Sequence, residues 1–576
     1  MFTKKTVADG MVEILKELGI KRYYCVPGDS MNEVTTRLEG AGIQFIHTRN
    51  EGAAVFAAGA EAQLTGKITI CAGSAGPGSL HLVNGVHEAS RMNAPMLVFA
   101  TNIPSTEIGG KYFQESDLKS IFKDSTCFCE MVISADQMPR LLNIAIQTAI
   151  AKKAVAVLIF SGDVTQQDAI HQVKKQCLPK YFNPVITPSE EELDSIAKLL
   201  NDSKKVALFC GYGCKNSHDQ VVKLAEKLKS PVIHALRGKE FIEYDNPYDV
   251  GMTGLLGATS GYLAIKECDV LVLLGTGFPY RQFYPEQAKV IQLDIDGENI
   301  GRRVGVNIGA VGDVKPTIEL LLPKLQKKAE RGFLDAALKH YKKSRQSFDK
   351  LATFSVGDTT IHPQYLAKMI DNLANDDTIF SVGTGTPIAW AARYLTMNSK
   401  RRITGSFNNG SIGTSLSQAI GAQSAYPERQ VIAMCGDGGL AMFLGEFITV
   451  ENFNLPIKII IFNNHSYGFV QLEMIEAGIY SHNTDLKNPD FAKVAEAIGI
   501  KGISINKPED IESGLKEALA YNGPVVVDVK VSSHELIMPP TVEIDQVKGF
   551  ALYASRVILD GDFKTLIDVA KENLFH

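Results

Sequence analysis

The 576-residue chain has no surplus of either charge, since 59 lysines and arginines face 64 aspartates and glutamates. So close a balance leaves no electrostatic footprint for nucleic acid, and no long basic run supplies one locally. Apolar segments of the ~18–20 residues that a spanning helix needs are also missing. The N-terminus opens directly on an amphipathic helix pattern, "MFTKKTVADGMVEILKEL", so no signal peptide is expected. The nine cysteines are scattered. Neither Cys127 with Cys129 nor Cys210 with Cys214 has the spacing of a two-pair zinc site, so reduced, buried thiols are the expectation. What remains is a cytoplasmic, multidomain protein, too long for one core.

What is present is a rhythm. From Val7 to about Phe160, short β-rich apolar runs ("KITICAG", "APMLVFAT", "VAVLIFSG") alternate with helical patterns. Strands covered on both faces read this way, and repeated βα units predict a doubly wound parallel sheet. The rhythm returns from "KKVALFCGYG" to about Leu322, and again from "DDTIFSVGTGTP" to "GPVVVDVKV". Three Rossmann-like α/β domains are therefore expected, at 1–180, 185–335 and 360–530, followed by a tail at 531–576. A proline-rich linker leads to Ser189, which opens a helix with capping-box spacing to Glu192. No sequence repeat relates the three blocks.

The stretch "AMCGDGGLAMFLGE" places Asp437 among glycines at the end of an apolar run. Turn chemistry alone accounts for many such triplets. A second strand, "IKIIIFNNHSYGF", ends in Asn463 and Asn464. In an open α/β sheet, neighbouring strand ends are where ligand groups belong. Asp437 and Asn464 would both offer oxygen, which suits a hard divalent cation such as Mg²⁺. Gly436, Gly438 and Gly439 let backbone N–H groups approach a phosphate. The pair reads as a metal clamp on a diphosphate.

At these residues "GDGG…NN" resembles the diphosphate motif of thiamine diphosphate enzymes, and the likeness spans essentially the whole chain. "RNEGAAVFAAGA" resembles that family's glutamate helix, "GPGSLHLVNG" its Gly-Pro-Gly turn and "GSIGTSLSQAIGA" its cofactor-wedge segment. "KYFQES", "HALRGKEFIEYDNPYDVGMTGL" and "PERQVIAMCGDGG" are similar to the FAD-containing, quinone-linked pyruvate dehydrogenases among them.

The resemblance implies roles. Glu51 would bond the thiamine ring nitrogen and promote the tautomer that activates the cofactor; Asn50 stands where relatives usually carry histidine. An ordinary acid near a helix start would look the same. Ile412 would wedge the folded cofactor from beneath, although a plain core isoleucine would look identical in the sequence. Gly383, Thr384, Gly385 and Thr386 would face the diphosphate, with Gly383 where relatives often have aspartate. Asn409, Tyr467 and Gly468 join that cofactor set, and Ser466 would give the metal a backbone carbonyl. Asp29, Ser30, Phe113, Gln114 and Glu473 are carried over on the substrate side, with Phe113 packing and Gln114 hydrogen-bonding a small 2-oxo acid. Phe469 matches an aromatic residue between the thiamine and flavin sites.

FAD is expected in the middle block. Gly211 and Gly213 form only a weak GxG signal. His234 and Arg237 in "HALRGK", Gly275 and Thr276 in "GTGFPYR", Asp294 and Asp296 in "QLDID", and Asp313 in "VGD" stand at strand ends, though turns and caps explain them too.

The implied reaction is pyruvate, water and quinone giving acetate, CO₂ and quinol. Its rivals are an oxygen-using oxidase making acetyl phosphate and peroxide, acetolactate synthase, and a cofactor-binding protein without catalysis. Family members bind the cofactor between subunits, so a homotetramer of dimers is implied. The tail places Phe563, Leu566, Ile567, Ala570 and Leu574 on one helical face. It would dock on the protein or, as in the quinone-linked relatives, bind a lipid surface, making the enzyme peripheral to the inner face of the cell membrane.

Overall fold

The computed structural model describes residues 5–169, 184–355, 357–479, 482–535, 537 and 552–553. The apolar runs form strands in three six-stranded sheets, and every strand pairs in parallel. The first contains β1 (Arg22–Cys25), β2 (Gln44–His47), β3 (Thr69–Gly73), β4 (Met96–Asn102), β5 (Phe128–Val132) and β6 (Val155–Ser161), in the order β2-β1-β3-β4-β6-β5. The second contains β7 (Val206–Cys210), β8 (Val232–His234), β9 (Asp249–Met252), β10 (Val270–Leu274), β11 (Lys289–Asp294) and β12 (Ile308–Val311), in the order β12-β11-β10-β7-β8-β9. The third contains β13 (Ile379–Val382), β14 (Arg402–Gly405), β15 (Val431–Gly436), β16 (Lys458–Asn463), β17 (Lys501–Ile505) and β18 (Val525–Lys530), in the order β14-β13-β15-β16-β18-β17. β3, β4, β6, β7 and β10 are buried at every position, as strands covered by helices on both faces must be.

Numbered from its own first strand, the third sheet repeats the 2-1-3-4-6-5 order of the first. The duplication that no sequence repeat reveals is thus plain in the topology. The middle sheet runs 3-2-1-4-5-6, the order of dinucleotide-binding folds. Ser189 caps the Glu190–Asp202 helix in a reciprocal capping box with Glu192, as the spacing predicts.

The first and third domains share one apolar core, with Tyr24, Val98 and Ile159 in the same buried cluster as Leu416, Ile459 and Val526. At its centre the Glu51–Thr65 helix packs on the Thr414–Ala425 helix. Both helices are rich in alanine and glycine, so their backbones approach closely. A Cβ placed on Gly421 would lie 2.0 Å from the Ala57 carbonyl oxygen.

Of the tail, the root is described: Val531 pairs with Ile361, Glu535 meets His362 and Gln364, and Ile537 is buried. The amphipathic stretch from Phe563 to Leu574 lies outside the described residues, as do residues 170–183 before the second domain.

Because backbone cannot yield as a flexible side chain does, Gly421→Ala is expected to destabilise the chain by about 3 kcal/mol. Urea unfolding of the variant beside the wild type measures it.

Candidate active site

The C-terminal edge of the third sheet gathers the cation candidates. β15 and β16 are neighbours, and Asp437 and Asn464 are the residues that follow them. Asp437 opens the Asp437–Met442 helix and is buried. Its Oδ1 accepts from Gly438 N–H at 2.9 Å, and its Oδ2 accepts from the Asn488 amide at 2.7 Å. Burial pushes the Asp437 carboxyl above its ordinary value, and those hydrogen bonds pull it back. Asn464 Oδ1 accepts from Ser466 N–H at 3.1 Å, so the loop turns Ser466 back towards the strand end. Gly438 is required: a Cβ there would lie 2.6 Å from the Tyr467 ring and 2.9 Å from Leu486.

β13 is the other neighbour of β15, and the strand order reverses between them, which is where such sheets bind ligands. Gly383 and Thr384 follow β13, and Gly385 adopts φ +120° before the Thr386–Tyr394 helix. Thr384 Oγ1 is buried and has no hydrogen-bond partner among the described residues. Thr386 lies beside Gly468, so the β13 and β16 loops meet. An orphaned hydroxyl, a helix start, a carboxylate and an amide oxygen converge here, a donor set that fits a diphosphate with a hard divalent cation.

The first domain supplies a second cluster. Asn50 caps the Glu51–Thr65 helix by accepting from Gly52 N–H at 2.7 Å. The buried Glu51 carboxylate bonds His81 Nδ1 at 2.9 Å through Oε2, and a Cβ on Gly78 would lie 3.0 Å from Oε1. Gln114, at φ +66°, packs its backbone and Cβ on Gly76 of the same Gly-Pro-Gly turn. Phe113 beside it is 77% exposed. Ser30 Oγ pairs with Thr101 Oγ1 at 2.7 Å and accepts from Ala75 N–H, while Asp29 caps Ser30 N–H from the surface.

Within the chain the two clusters face one another across Phe443, whose ring meets Gly413 on one side and Gly52 and Phe56 on the other. Glu446 Oε1 accepts from Arg49 N–H and Asn50 N–H at 3.0 and 3.1 Å, clamping the approach to Glu51 from the third domain. The loop that carries Asn409 and Ile412 is held by Ser411 Oγ on Asn84 and by Ser411 N–H on Ser406 Oγ, which in turn bonds Glu88. Ile412 lies against Gly439 and remains 37% exposed. Farther along, the Gly468–Glu476 helix carries Phe469, packed on the third domain's core, and an exposed Glu473 that raises the Tyr280 hydroxyl pKa after burial.

The middle-domain candidates do not form one cluster. Gly211, Gly213, Gly275 and Thr276 pack backbone against backbone at the switch point between β7 and β10. His234 is fully buried, with Nε2 3.7 Å from Glu243 and 3.6 Å from Asp249, and burial lowers its pKa to about 4. Arg237 donates to the Met92 carbonyl at 2.9 Å and stacks on Tyr212. Asp313 accepts from Ile186 N–H, Asp294 from Asp296 N–H and Asp296 from Glu298 N–H. These side chains already serve caps and domain contacts.

Residues 5–121 match the thiamine pyrophosphate enzyme N-terminal TPP binding domain, 193–321 its central domain and 383–529 its C-terminal TPP binding domain. The chain belongs to the thiamine pyrophosphate enzymes. It is 37% identical over 556 residues, 95% of both chains, to YdaP of Bacillus subtilis (strain 168), provisionally named as thiamine pyrophosphate-containing. It is 50% identical over 346 residues to an uncharacterized 42.6 kDa protein of Pseudomonas amyloderamosa, covering 60% of this chain and 87% of that one. The chloroplastic acetolactate synthase of Arabidopsis thaliana is 29% identical over 552 residues, 92% of this chain and 82% of its own.

For a thiamine pyrophosphate enzyme the position of Glu51 matters, and sequence reading missed the groups that hold it. His81 lies inside the quoted Gly-Pro-Gly motif, yet its partner is 30 residues away. Glu446 is 396 residues from Asn50 and Glu88 is 318 from Ser406. A buried-type acid in "GEF" and another in "VHEAS" were the only signals.

Burial pushes the Glu88 carboxyl from 4.5 up to about 7, with the Ser406 bond and Arg237 opposing, and its Oε1 is buried without a partner. A value raised on folding gives stability that is fully present below about pH 4.5 and lost as pH rises through about 7. Wild-type stability is expected to fall by up to about 3 kcal/mol over that window, with Glu88→Gln flattening the profile. Urea titrations at pH 5 and pH 8 test this.

Proposed function

We propose that the enzyme oxidatively decarboxylates pyruvate, so that pyruvate, water and a quinone give acetate, CO₂ and quinol. The observation that carries this reading is that Leu256 of the middle domain and Phe469, on the helix leaving the cation loop, pack against the same third-domain core. The middle domain's 3-2-1-4-5-6 strand order suits a dinucleotide, which favours FAD in the crevice bounded by Gly211, Gly213, Gly275 and Thr276. Such an arrangement would set a two-electron acceptor beside the decarboxylation site.

Asp437, Asn464 and the Ser466 carbonyl would hold Mg²⁺, and the Gly383–Thr386 loop with Gly438 and Gly439 would hold the diphosphate. Thiamine diphosphate supplies the carbon nucleophile and electron sink, and FAD the two-electron acceptor. The chain's own part is to orient and to move protons. Glu51 would present a buried carboxyl oxygen to the cofactor's ring nitrogen, with His81 fixing its orientation. Gln114 donates to the carboxylate of a small 2-oxo acid while Phe113 shields it from water.

A second reading, acetolactate synthesis, is favoured by the identity shared with the plant synthases and with a Methanocaldococcus jannaschii protein named a synthase large subunit. There the flavin would stay oxidised and a second oxo acid would accept the carbon fragment. We further assign to this chain a homotetramer, in which a second copy covers the exposed Phe113, Ile412 and Met442. The tail, more acidic than basic, would attach to lipid through its apolar face.

Anaerobic mixing with pyruvate, Mg²⁺ and thiamine diphosphate is expected to bleach flavin absorbance, and a quinone analogue to restore it. Pyruvate consumption without bleaching would give the second reading, and fast reoxidation by oxygen with phosphate would give the oxidase. Glu51→Gln is expected to lower turnover by about 10²–10⁴-fold. Deleting Asp562–His576 is expected to abolish liposome binding and lipid stimulation; unchanged binding would remove the membrane role.

A further inference from the structure

We propose that Asn488 is a positioning residue for the cation ligand Asp437, and that the buried pair Asn463–Asp528 fixes its orientation. The inference rests on the cation clamp proposed above. Asn488 lies 51 residues beyond Asp437 and belongs to none of the strands. It is brought in by a segment laid across the cation loop. Ser466 bridges Asp485, Tyr467 N–H donates to the Thr484 carbonyl at 2.9 Å, and Leu486 N–H donates to the His465 carbonyl at 2.7 Å. Leu486 then rests where any side chain on Gly438 would clash.

The polar contacts form a chain whose direction is set by chemistry. Asp528, fully buried, is an acceptor and receives the Asn463 amide N–H at 2.8 Å, along with Phe491 N–H and the Lys530 ammonium. That orients Asn463 so that its carbonyl oxygen points at Asn488. Both remaining faces offered to Asn488 are then acceptors, so its NH₂ must turn towards them. It donates one hydrogen to Asn463 Oδ1 at 3.0 Å and the other to Asp437 Oδ2 at 2.7 Å. With Oδ1 held by Gly438 N–H, the Asp437 carboxylate cannot rotate, yet each oxygen keeps a lone pair for a cation. Groups that orient a metal ligand in this way commonly control affinity by about 10–100-fold.

Mg²⁺ demands near-ideal octahedral geometry, whereas Ca²⁺ accepts irregular sites. Loss of a device that fixes one carboxylate should therefore penalise Mg²⁺ more than Ca²⁺. A loss of general packing would not discriminate between them.

The test is calorimetric titration of the metal-free full chain with Mg²⁺ or Ca²⁺ at saturating thiamine diphosphate, for wild type, Asn488→Leu and Asn488→Ala. Melting in chelator checks folding, which the backbone bonds of residues 484–486 should preserve in both variants. The expected result is Mg²⁺ affinity weakened about 10–100-fold with Ca²⁺ changed by less than about threefold. Mg²⁺ binding within about twofold of wild type, or equal losses for both cations, overturns the proposal. If the wild type itself takes up the cofactor without any divalent cation, the clamp reading fails and this inference falls with it.

Discussion

The approach of two alanine-rich helices, Glu51–Thr65 and Thr414–Ala425, is the constraint on which the site depends. At Gly421 one backbone passes where a Cβ would strike the Ala57 carbonyl. Such proximity leaves little freedom in the distance between the Glu51 helix and the strands that end in Asp437 and Asn464. Apolar contact is nondirectional, however, and would tolerate sliding. Register comes from polar groups placed at the rim of that contact. Glu446 holds the two amides before Glu51, Glu88 holds Ser406, and Asn84 holds Ser411. Each spans the first and third domains, so the apolar face supplies the adhesion and the carboxylates supply the alignment.

The middle domain is tied to both others by a comparable arrangement. Arg402 of the third domain donates to Glu240 of the second at 2.7 Å and to the Leu64 carbonyl of the first at 3.2 Å. Arg237 reaches the Met92 carbonyl from the second domain. Two half-buried guanidiniums, each with several fixed donors, thus meet carbonyls and a carboxylate at the junction of three domains. Such a junction sets the separation between the domains by packing and not by a flexible linker.

The three parallel sheets were legible because a doubly covered strand leaves a plain trace, an unbroken apolar run. The adjacency of Asp437 and Asn464 was legible for a related reason: βα topology places neighbouring strand ends side by side, so two short motifs predict one location. Glu51 stood out only through resemblance, since an acid at a helix start is common. Strand order could not be read at all, as parallel crossovers leave no mark on sequence, and the repeat shared by the outer sheets emerged only in three dimensions.

The residues that escaped share one property. His81, Glu446, Glu88 and Asn488 act on partners far away in sequence, through one or two hydrogen bonds that require the whole fold to bring them within 3 Å or so. Asp313, Asp296 and Arg237 stand at strand ends, where each also meets a nearby N–H or carbonyl. A strand end offers exposed backbone donors as well as ligand space, so an acid there finds a cap before it finds a cofactor. What distinguishes Asp437 is that its second oxygen is met by an amide supported from behind by another buried acid. A cap needs no such support. An oriented carboxylate does, and that support is what sets Asp437 apart from a turn residue.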